Sequence, residues 1–340
     1  MKSTLALLAA VTTAAASLTI SATPTSAATT TVSGIVFISD RDSPSADEVI
    51  DEVYFYDTAT KVTSRLTNNT VTETFPVLSP DGRYLSYSTD GAIQVCPLTF
   101  ASGTWSCGSA RDVVTGVLTR SRFVWTPDGR SILYSANDPV GGDPDIFIVN
   151  LLDGSQPRNL TQEAKGEQAL FDGQMAVSPD GRFFVYSRNS ATGADLYRRR
   201  ITGSNPVALT STPMINEFGA AYSPDGQRIA FHSDRRSTAD VDIFVMRAEP
   251  ESATNVAVDL TRQVTAPDGT ASRERFPTWS PDGQRIAFWW HVTPLGLEDG
   301  EIYTIAANGT NIQNITANNP ADPEATPVGD IMPAWGRARA

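Results

Sequence analysis

Six positions at a fixed spacing carry the side chains best suited to chemistry in this sequence. Each lies seven residues before the proline of a recurring Ser/Thr-Pro-Asp-Gly turn, or at the matching place near the C-terminus. The residues are Glu73, Arg120, Asp172, Glu217, Glu274 and Asp330. Carboxylates held close together cannot all ionise cheaply, so they bind a cation, meet a basic group of a partner or share protons. The pattern predicts a ligand-binding site, or, as the alternative, backbone hydrogen bonds where adjacent repeats meet.

Catalytic groups are scarce in the chain. It has two histidines, His232 and His291. His291 follows Trp289 and Trp290, and these three residues could form a platform for a sugar or peptide, with core packing as the alternative. The sequence has no G-x-S-x-G elbow, H-E-x-x-H motif or P-loop, so we expect no catalytic residues. A Ser-His-Asp triad and a carboxylate pair that cleaves a glycan stay open, because their members need not be neighbours in sequence.

Calcium is the one metal that the sequence suggests. The stretch from Asp138 to Asp145, Asp-Pro-Val-Gly-Gly-Asp-Pro-Asp, could supply oxygen ligands. It lacks the Asp-x-Asp-x-Asp-Gly spacing and distal glutamate of a standard calcium loop. A solvated acidic loop is the alternative, and no other cofactor is expected.

The elements that position these groups repeat along the chain. Apolar runs flank each Asp-Gly turn, which is the strongest short-range signal for a β-hairpin. The turn aspartates are 47, 52, 45 and 57 residues apart, and they are Asp81, Asp128, Asp180, Asp225 and Asp282. Self-similarity at such a period indicates a propeller or a solenoid. The apolar spacing is close to two and each repeat contains four short strands, so each repeat is predicted to form one propeller blade.

The two ends of the chain are predicted to share one blade. Residues 33–67 contain a second and a third strand followed by Leu66-Thr67, but no first strand. Residues 331–336 match the first strand of the preceding repeat and then stop. We therefore predict an all-β, six-bladed propeller of four-stranded antiparallel blades, with the first blade closed by the C-terminal strand. A repeated apolar position is predicted to pack between blades: Leu78, Trp125, Val177, Tyr222, Trp279 and Trp335.

The N-terminus is predicted to be a secretory signal peptide. Lys2 precedes an apolar run from Leu5 to about Ile20, and small residues lead to Ala27. This divides the chain into a signal peptide, 1–27, and a single propeller domain, 28–340. A transmembrane anchor is the weaker alternative, since polar residues interrupt a run that is shorter than the roughly 20 apolar residues a span requires.

Export and charge limit the partners. In an oxidising compartment Cys96 and Cys107 are expected to form a disulfide, because a turn at Ala101-Ser102 places them opposite each other in a hairpin. The net charge of −12 repels phosphate backbones, so we expect no nucleic-acid partner. No later stretch is apolar enough for a membrane span, and the expected form is a monomer.

The repeat at 276–288 and its counterparts elsewhere in the chain resemble the repeats of TolB-type six-bladed propellers, which read P-x-W-S-P-D-G-x-x-I-A-F. The resemblance implies the fold, and also that a glutamate before the first strand belongs to the repeat itself. We expect the N-terminal α/β domain of TolB to be absent here, and also the catalytic domain that follows similar propellers in prolyl oligopeptidases. The acidity of one face and the lack of a catalytic set, together with this resemblance, predict an exported (periplasmic or extracellular), non-catalytic scaffold that binds a protein or peptide at an acidic channel mouth. The alternative is a secreted carbohydrate-active enzyme or lectin that uses the same mouth to engage a glycan, with a divalent cation.

Overall fold

The computed structural model describes residues 31–43, 50–118, 121–139, 144–162, 169–237, 240–263, 272–292, 300–316 and 329–339. The predicted signal peptide lies outside these residues. Within them, every strand belongs to one of six antiparallel sheets, and each sheet is one blade of a propeller. The sheets contain the strands in order from the axis outwards, so the fold predicted from the sequence is confirmed.

The first three blades take their strands from the N-terminal half of the chain. Blade 1 contains β1 (Thr31–Ser39), β2 (Glu52–Asp57) and β3 (Thr63–Arg65), and its inner strand comes from the C-terminus. Blade 2 contains β4 (Thr74–Leu78), β5 (Tyr84–Thr89) and β6 (Ala92–Ala101), and both β7 (Thr104–Cys107) and β8 (Arg111–Thr115) pair with β6. Blade 3 contains β9 (Phe123–Trp125), β10 (Ser131–Asn137), β11 (Pro144–Asn150) and β12 (Arg158–Asn159).

The last three blades follow the same order. Blade 4 contains β13 (Ala169–Val177), β14 (Phe183–Ser190), β15 (Gly193–Arg200) and β16 (Val207–Ala208). Blade 5 contains β17 (Glu217–Tyr222), β18 (Arg228–Ser233), β19 (Asp242–Arg247) and β20 (Val258–Asp259). Blade 6 contains β21 (Ser272–Trp279), β22 (Arg285–Val292), β23 (Glu301–Ala306) and β24 (Gln313–Asn314).

The C-terminal strand β25 (Asp330–Arg339) completes blade 1. It pairs antiparallel with β1 and places Trp335 opposite Ile35. The Arg339 backbone N–H also donates to the Gly82 carbonyl of blade 2, at 2.7 Å. The predicted closure of the ring is confirmed, and pairing the two chain ends covers edges that would otherwise expose unpaired backbone groups.

The Ser/Thr-Pro-Asp-Gly turns connect the first and second strands and define what we call the turn face. In the turn of blade 2 the Ser79 hydroxyl donates to the Asp81 carboxylate at 2.6 Å, and that carboxylate accepts from the Arg83 backbone N–H at 3.1 Å. Gly82 has a φ of 73°, and a Cβ there would lie 2.4 Å from the Arg337 carbonyl oxygen. The turn therefore requires glycine, and its aspartate stabilises the turn itself.

Six hydrophobic clusters hold the ring together, one at each interface between adjacent blades. The predicted interblade position contributes both packing and hydrogen bonds. Trp125 of blade 3 donates its indole N–H to the Ser86 hydroxyl of blade 2 at 2.8 Å, and Trp279 of blade 6 donates to the Ala221 carbonyl of blade 5 at 3.1 Å. Each blade thus buries its faces against two neighbours, which is how a propeller grows without a single large core.

The disulfide lies at the outer edge of blade 2. Cys96 in β6 and Cys107 in β7 are bonded, with 5.7 Å between their Cα atoms, so the predicted bond is present. The register differs from the expectation, because Cys107 lies opposite Leu98 rather than Cys96. The bond therefore crosses the hairpin diagonally.

No helix among the described residues is long and apolar enough to cross a membrane.

Candidate ligand-binding site in the propeller channel

The acidic positions predicted from the sequence occupy equivalent places at the start of the inner strands. This is the end of the channel that we call the loop face, where the second and third strands and successive blades are connected. Arg120 lies outside the described residues. The five acids have no exposed surface: Glu73, Asp172, Glu217, Glu274 and Asp330.

Three of the five carboxylates are paired with an arginine. Asp172 accepts two hydrogen bonds of 2.9 Å from Arg188, and Glu217 binds Arg235 at 2.5 Å. Asp330 binds Arg41 at 2.7 Å, across the interface between the chain ends. Charged hydrogen bonds of this kind offset the cost of burying both ions. In blades 1 and 5 the acid therefore fixes the connection that follows the second strand, and in blade 4 it binds an arginine of the second strand itself.

Glu73 is held by neutral groups instead. Its carboxylate accepts from the Thr67 hydroxyl at 2.5 Å, the Asn69 amide at 2.6 Å and the Val53 backbone N–H at 3.2 Å. Burial raises the pKa of Glu73 to about 7, and the hydrogen bonds from Thr67 and Asn69 oppose this rise. The threonine of the repeated Leu-Thr pair thus has a structural role, because its hydroxyl links the third strand to the buried acid.

Glu274 differs from the other four acids. Neither of its carboxylate oxygens has a hydrogen-bond partner of normal geometry among the described residues. Burial raises its pKa well above the ordinary value; the nearby Ser272 hydroxyl opposes this rise, and the negative charges of Asp242, Asp240 and Asp259 reinforce it. Burial and the neighbouring carboxylates therefore both disfavour the ionised form of Glu274.

Two of the acids near Glu274 contact the same arginine. Arg236 lies 3.1 Å from the Asp242 carboxylate and 3.6 Å from that of Asp259. Burial and the neighbouring Asp259 raise the pKa of Asp242 to about 6. Arg236 and Arg262 both oppose the rise that burial causes in the pKa of Asp259, so this pair of acids is partly compensated within the described part of the chain.

The aromatic platform predicted from the sequence is largely covered. Trp289 is 4% exposed and His291 is 3% exposed, and their rings stack with centroids 4.6 Å apart. Trp290 is partly exposed and packs against Tyr303 at 5.2 Å. Burial, together with Arg275 and Arg273, lowers the pKa of His291 to about 4. Contact of these residues with a sugar or peptide stays a prediction.

Sequence reasoning did not identify the residues that lie deepest in the channel. Two residues after each of the six positions predicted from the sequence, the inner strands present a second ring, which we call the axial ring: Phe75, Arg122, Gln174, Gly219, Phe276 and Met332. In five of these blades the pairing register shifts across the ring residue. Such bulges turn a side chain out of the alternation that sequence patterns follow. The axial residues could have been found in the sequence from their common distance to the turn prolines.

The described residues contain no group of three or more His, Cys, Asp or Glu side chains arranged to hold a metal ion. The stretch predicted to bind calcium is described only in part, since residues 140–143 lie outside the described residues. At the turn face the channel opens into a cavity of about 420 Å³ whose lining includes Tyr222, Trp279, Trp335 and Arg337.

The architecture and the closed ring define the chain as a six-bladed β-propeller of the TolB-type fold. A protein assigned as TolB from Agrobacterium tumefaciens matches 84% of this chain and 89% of its own, with a TM-score of 0.63 and 22% identity. TolB from Acinetobacter baumannii matches 89% of this chain and 66% of its own, with a TM-score of 0.63 and 18% identity. At these identities the likeness concerns the fold.

The sequence comparisons are less specific. An uncharacterized protein of Agrobacterium fabrum is 28% identical over 215 residues, which are 63% of this chain and 64% of the relative. The match thus spans less than two thirds of that relative's length. The chain matches no protein-family model.

Proposed function

We propose that this protein is an exported, non-catalytic binding propeller that engages a basic side chain of a protein or peptide partner at the loop face of the channel. The observation that supports this proposal most directly is Glu274. It is fully buried and has no counter-ion within the described residues, whereas its equivalents in blades 1, 4 and 5 each bind an arginine.

The repeat itself suggests what is missing beside Glu274. In blades 1 and 5 the acid faces a serine of the second strand, Ser39 or Ser233, and the arginine follows two residues later. In blade 6 the acid faces Trp290 instead. A lysine or arginine supplied by a partner would restore the ion pair that the other blades make internally.

The surroundings favour a cation over a neutral group. Asp240, Asp242 and Asp259 add negative charge near Glu274, and the whole chain carries a net charge of −12. An acidic surface around a buried carboxylate attracts basic segments and raises their association rate. The TolB-type fold is consistent with this use of the channel opening.

The proposal is tested by measuring the binding of short peptides to the full chain. A peptide array, with one arginine or lysine in each member, identifies the best binder, and a matched peptide carries citrulline in place of arginine. We expect Glu274→Gln and the citrulline peptide each to weaken binding by about tenfold or more, which corresponds to about 1.4 kcal/mol. Glu249→Gln is the control, since Glu249 is exposed at the other end of blade 5.

Three outcomes would contradict the proposal. Peptide affinity that is unchanged by Glu274→Gln would remove Glu274 from the site. Turnover of a glycan or peptide substrate that is abolished by the same substitution would make the protein an enzyme. Calcium-dependent sugar binding without turnover, measured with and without a chelator, would favour a lectin.

A further inference from the structure

The axial ring has an unusual backbone. Four of its residues are not glycine and yet have a positive φ: 49° at Phe75, 50° at Gln174, 53° at Phe276 and 56° at Met332. Such values are uncommon outside glycine, asparagine and aspartate. Residues in this conformation persist where the surrounding structure holds them, and they concentrate at ligand sites. Their repetition at one register shows that the inner strands are built to direct these side chains into the channel.

The axial side chains meet across the channel. Phe75 of blade 2 and Phe276 of blade 6 make an edge-to-face contact, with centroids 6.0 Å apart. The Arg122 guanidinium of blade 3 lies 5.4 Å from the centroid of the Phe276 ring. Because blades 3 and 6 face each other across a six-bladed ring, this contact closes the channel at this level. Each of these three residues remains partly exposed, so a ligand can reach them.

Gly219 admits a histidine from the second strand. A Cβ at Gly219 would lie 2.6 Å from the His232 Nδ1 atom and 3.4 Å from the Arg122 Nη1 atom. The His232 ring packs against Phe276, with centroids 5.6 Å apart. His232 is 5% exposed, and its Nδ1 atom has no hydrogen-bond partner within the described residues. A buried polar atom without a partner is costly, and here it points to the channel axis.

The charges at this level are positive. Neither Arg122 nor Arg275 forms an ion pair in the described part of the chain, and the Arg122 Nη1 and Arg275 Nε atoms are buried without hydrogen bonds. Burial lowers the pKa of Arg122 to about 10, and burial together with Arg273 lowers that of Arg275. Burial, and after it the charges of Arg275 and Arg122, lowers the pKa of His232 well below the ordinary value. The neutral form of the imidazole is therefore favoured, whereas guanidinium groups stay charged in proteins.

We propose that the axial cluster of Arg122, Arg275, His232 and Phe276 binds a carboxylate. Guanidinium groups offer a planar fork of N–H donors that fits a carboxylate, and an anion would neutralise charges that are otherwise buried without partners. Phe75 and Phe276 provide an apolar, aromatic wall for the body of the ligand. The carboxylate is either a free small molecule or a carboxyl group carried by a polypeptide. This site is separate from the one proposed for a basic side chain at Glu274 and does not rest on it.

The test uses the full chain and a simple aromatic carboxylate, benzoate, as the probe. We expect benzoate to raise the melting temperature in a concentration-dependent way and to give a binding isotherm by calorimetry. Arg122→Gln and Arg275→Gln should each weaken this binding by tenfold or more. Arg247→Gln, which removes an exposed charge from the third strand of blade 5, should leave it unchanged. Glu274→Gln should also leave benzoate binding intact, which separates this proposal from the one above.

A second readout guards against a variant that simply folds poorly. Because Arg122 is charged and unpaired, Arg122→Gln should raise the melting temperature of the ligand-free protein while it removes the shift caused by benzoate. Peptides with a free C-terminal carboxylate, compared with amidated copies, reveal whether the natural source is a polypeptide: tighter binding of the free form supports that source, and benzoate binding alone supports a small molecule.

The proposal fails if no carboxylate shifts the melting temperature, or if Arg122→Gln and Arg275→Gln bind benzoate as the wild type does. It also fails if inorganic phosphate binds more tightly than the carboxylates, since the axial cluster would then be a phosphate site.

Discussion

Glu274 shows how one residue can change the chemistry of a repeated position. It occupies the same position of the repeat as Glu217 and Asp330, and all three side chains are fully buried. The difference is the arginine, which Arg235 and Arg41 supply in the other two blades. Burying one member of an ion pair alone is strongly unfavourable, so such a residue is retained at the expense of stability. A loss of stability of this kind is typical of binding sites, where an unfavourable local arrangement is retained because function requires it.

The pH dependence of stability should report on Glu274. Its pKa is raised in the folded protein above the ordinary value of 4.5, so the folded state binds more protons than the unfolded state above that pH. Stability must then fall as pH rises from 4.5 towards the folded pKa, by about 1.4 kcal/mol for each unit of pKa difference. We expect Glu274→Gln to be more stable than the wild type, and the difference to be larger at about pH 8 than at about pH 5.

Thermal unfolding of both proteins across this range measures the effect. Glu73, whose pKa is raised to about 7, contributes the same slope to both proteins and cancels in the comparison. Asp242, whose pKa is raised to about 6, interacts with Glu274, so the difference between the two proteins reports on this coupled pair. A variant that shows the same pH profile as the wild type would mean that Glu274 is solvated in solution.

At the scale of the element, the strands have two recurring reinforcements. The turn aspartates accept hydrogen bonds from a serine or threonine and from the backbone, and these bonds lower the pKa of Asp128, Asp180, Asp225 and Asp282. At the other end of the blade the Leu-Thr threonine accepts from the third strand, as Thr261 does from the Ile243 backbone N–H at 2.9 Å. Both devices satisfy backbone groups where a short strand ends, which is where a blade would otherwise fray.

Blade 2 contains the one element that departs from the repeat among the described strands. Strand β6 is ten residues long and pairs with β8 near its start and with β7 near its end. The disulfide closes a loop of 11 residues by sequence separation. We expect the double substitution Cys96→Ala and Cys107→Ala to reduce the free energy of unfolding by about 2–3 kcal/mol.

Hydrogen exchange would locate this effect. Faster exchange should be confined to the β6–β7 hairpin, because the bond joins two outer strands and not the ring. Faster exchange throughout the protein, or no change in unfolding free energy, would contradict this view of the disulfide as a local constraint.

At the scale of the whole molecule, the ring is closed by hydrogen bonds and packing alone. Trp335 lies at the centre of this closure: it faces Ile35 in the neighbouring strand and donates its indole N–H to the Ser33 hydroxyl at 2.9 Å. Its backbone N–H donates to the Thr278 hydroxyl of blade 6 at 3.1 Å. One residue thus joins the C-terminal strand to both the first and the last blade.

Trp335→Ala should destabilise the protein by about 3–5 kcal/mol, since it removes a large packed side chain. Trp279→Ala is the matched control, because Trp279 occupies the same position in a blade whose strands are contiguous in the chain. We expect both variants to lose stability, but only Trp335→Ala to accelerate hydrogen exchange in β1. An unchanged melting temperature for Trp335→Ala would count against ring closure by this strand.

The sequence by itself determined the repeat, the number of blades and the closure of the ring. These follow from local signals, namely Asp-Gly turns, alternation of apolar residues and a matching strand at each end, and local signals can be read without knowing distant contacts. It also singled out the five acids, whose equivalent positions follow from their common distance to the turns. The sequence could not show that Glu274 is buried without an arginine, because the partner of each acid comes from a different strand or connection.

Only the tertiary structure decided what lies at the axis. Arg122 and Phe276 belong to opposite blades and are more than 150 residues apart in the sequence, and His232 reaches them only because Gly219 leaves space. Bulges with positive φ direct these side chains inward, and no pattern of polar and apolar residues records a bulge. Whether a charged side chain has a partner depends on all of its neighbours, and these come together only when the ring is assembled.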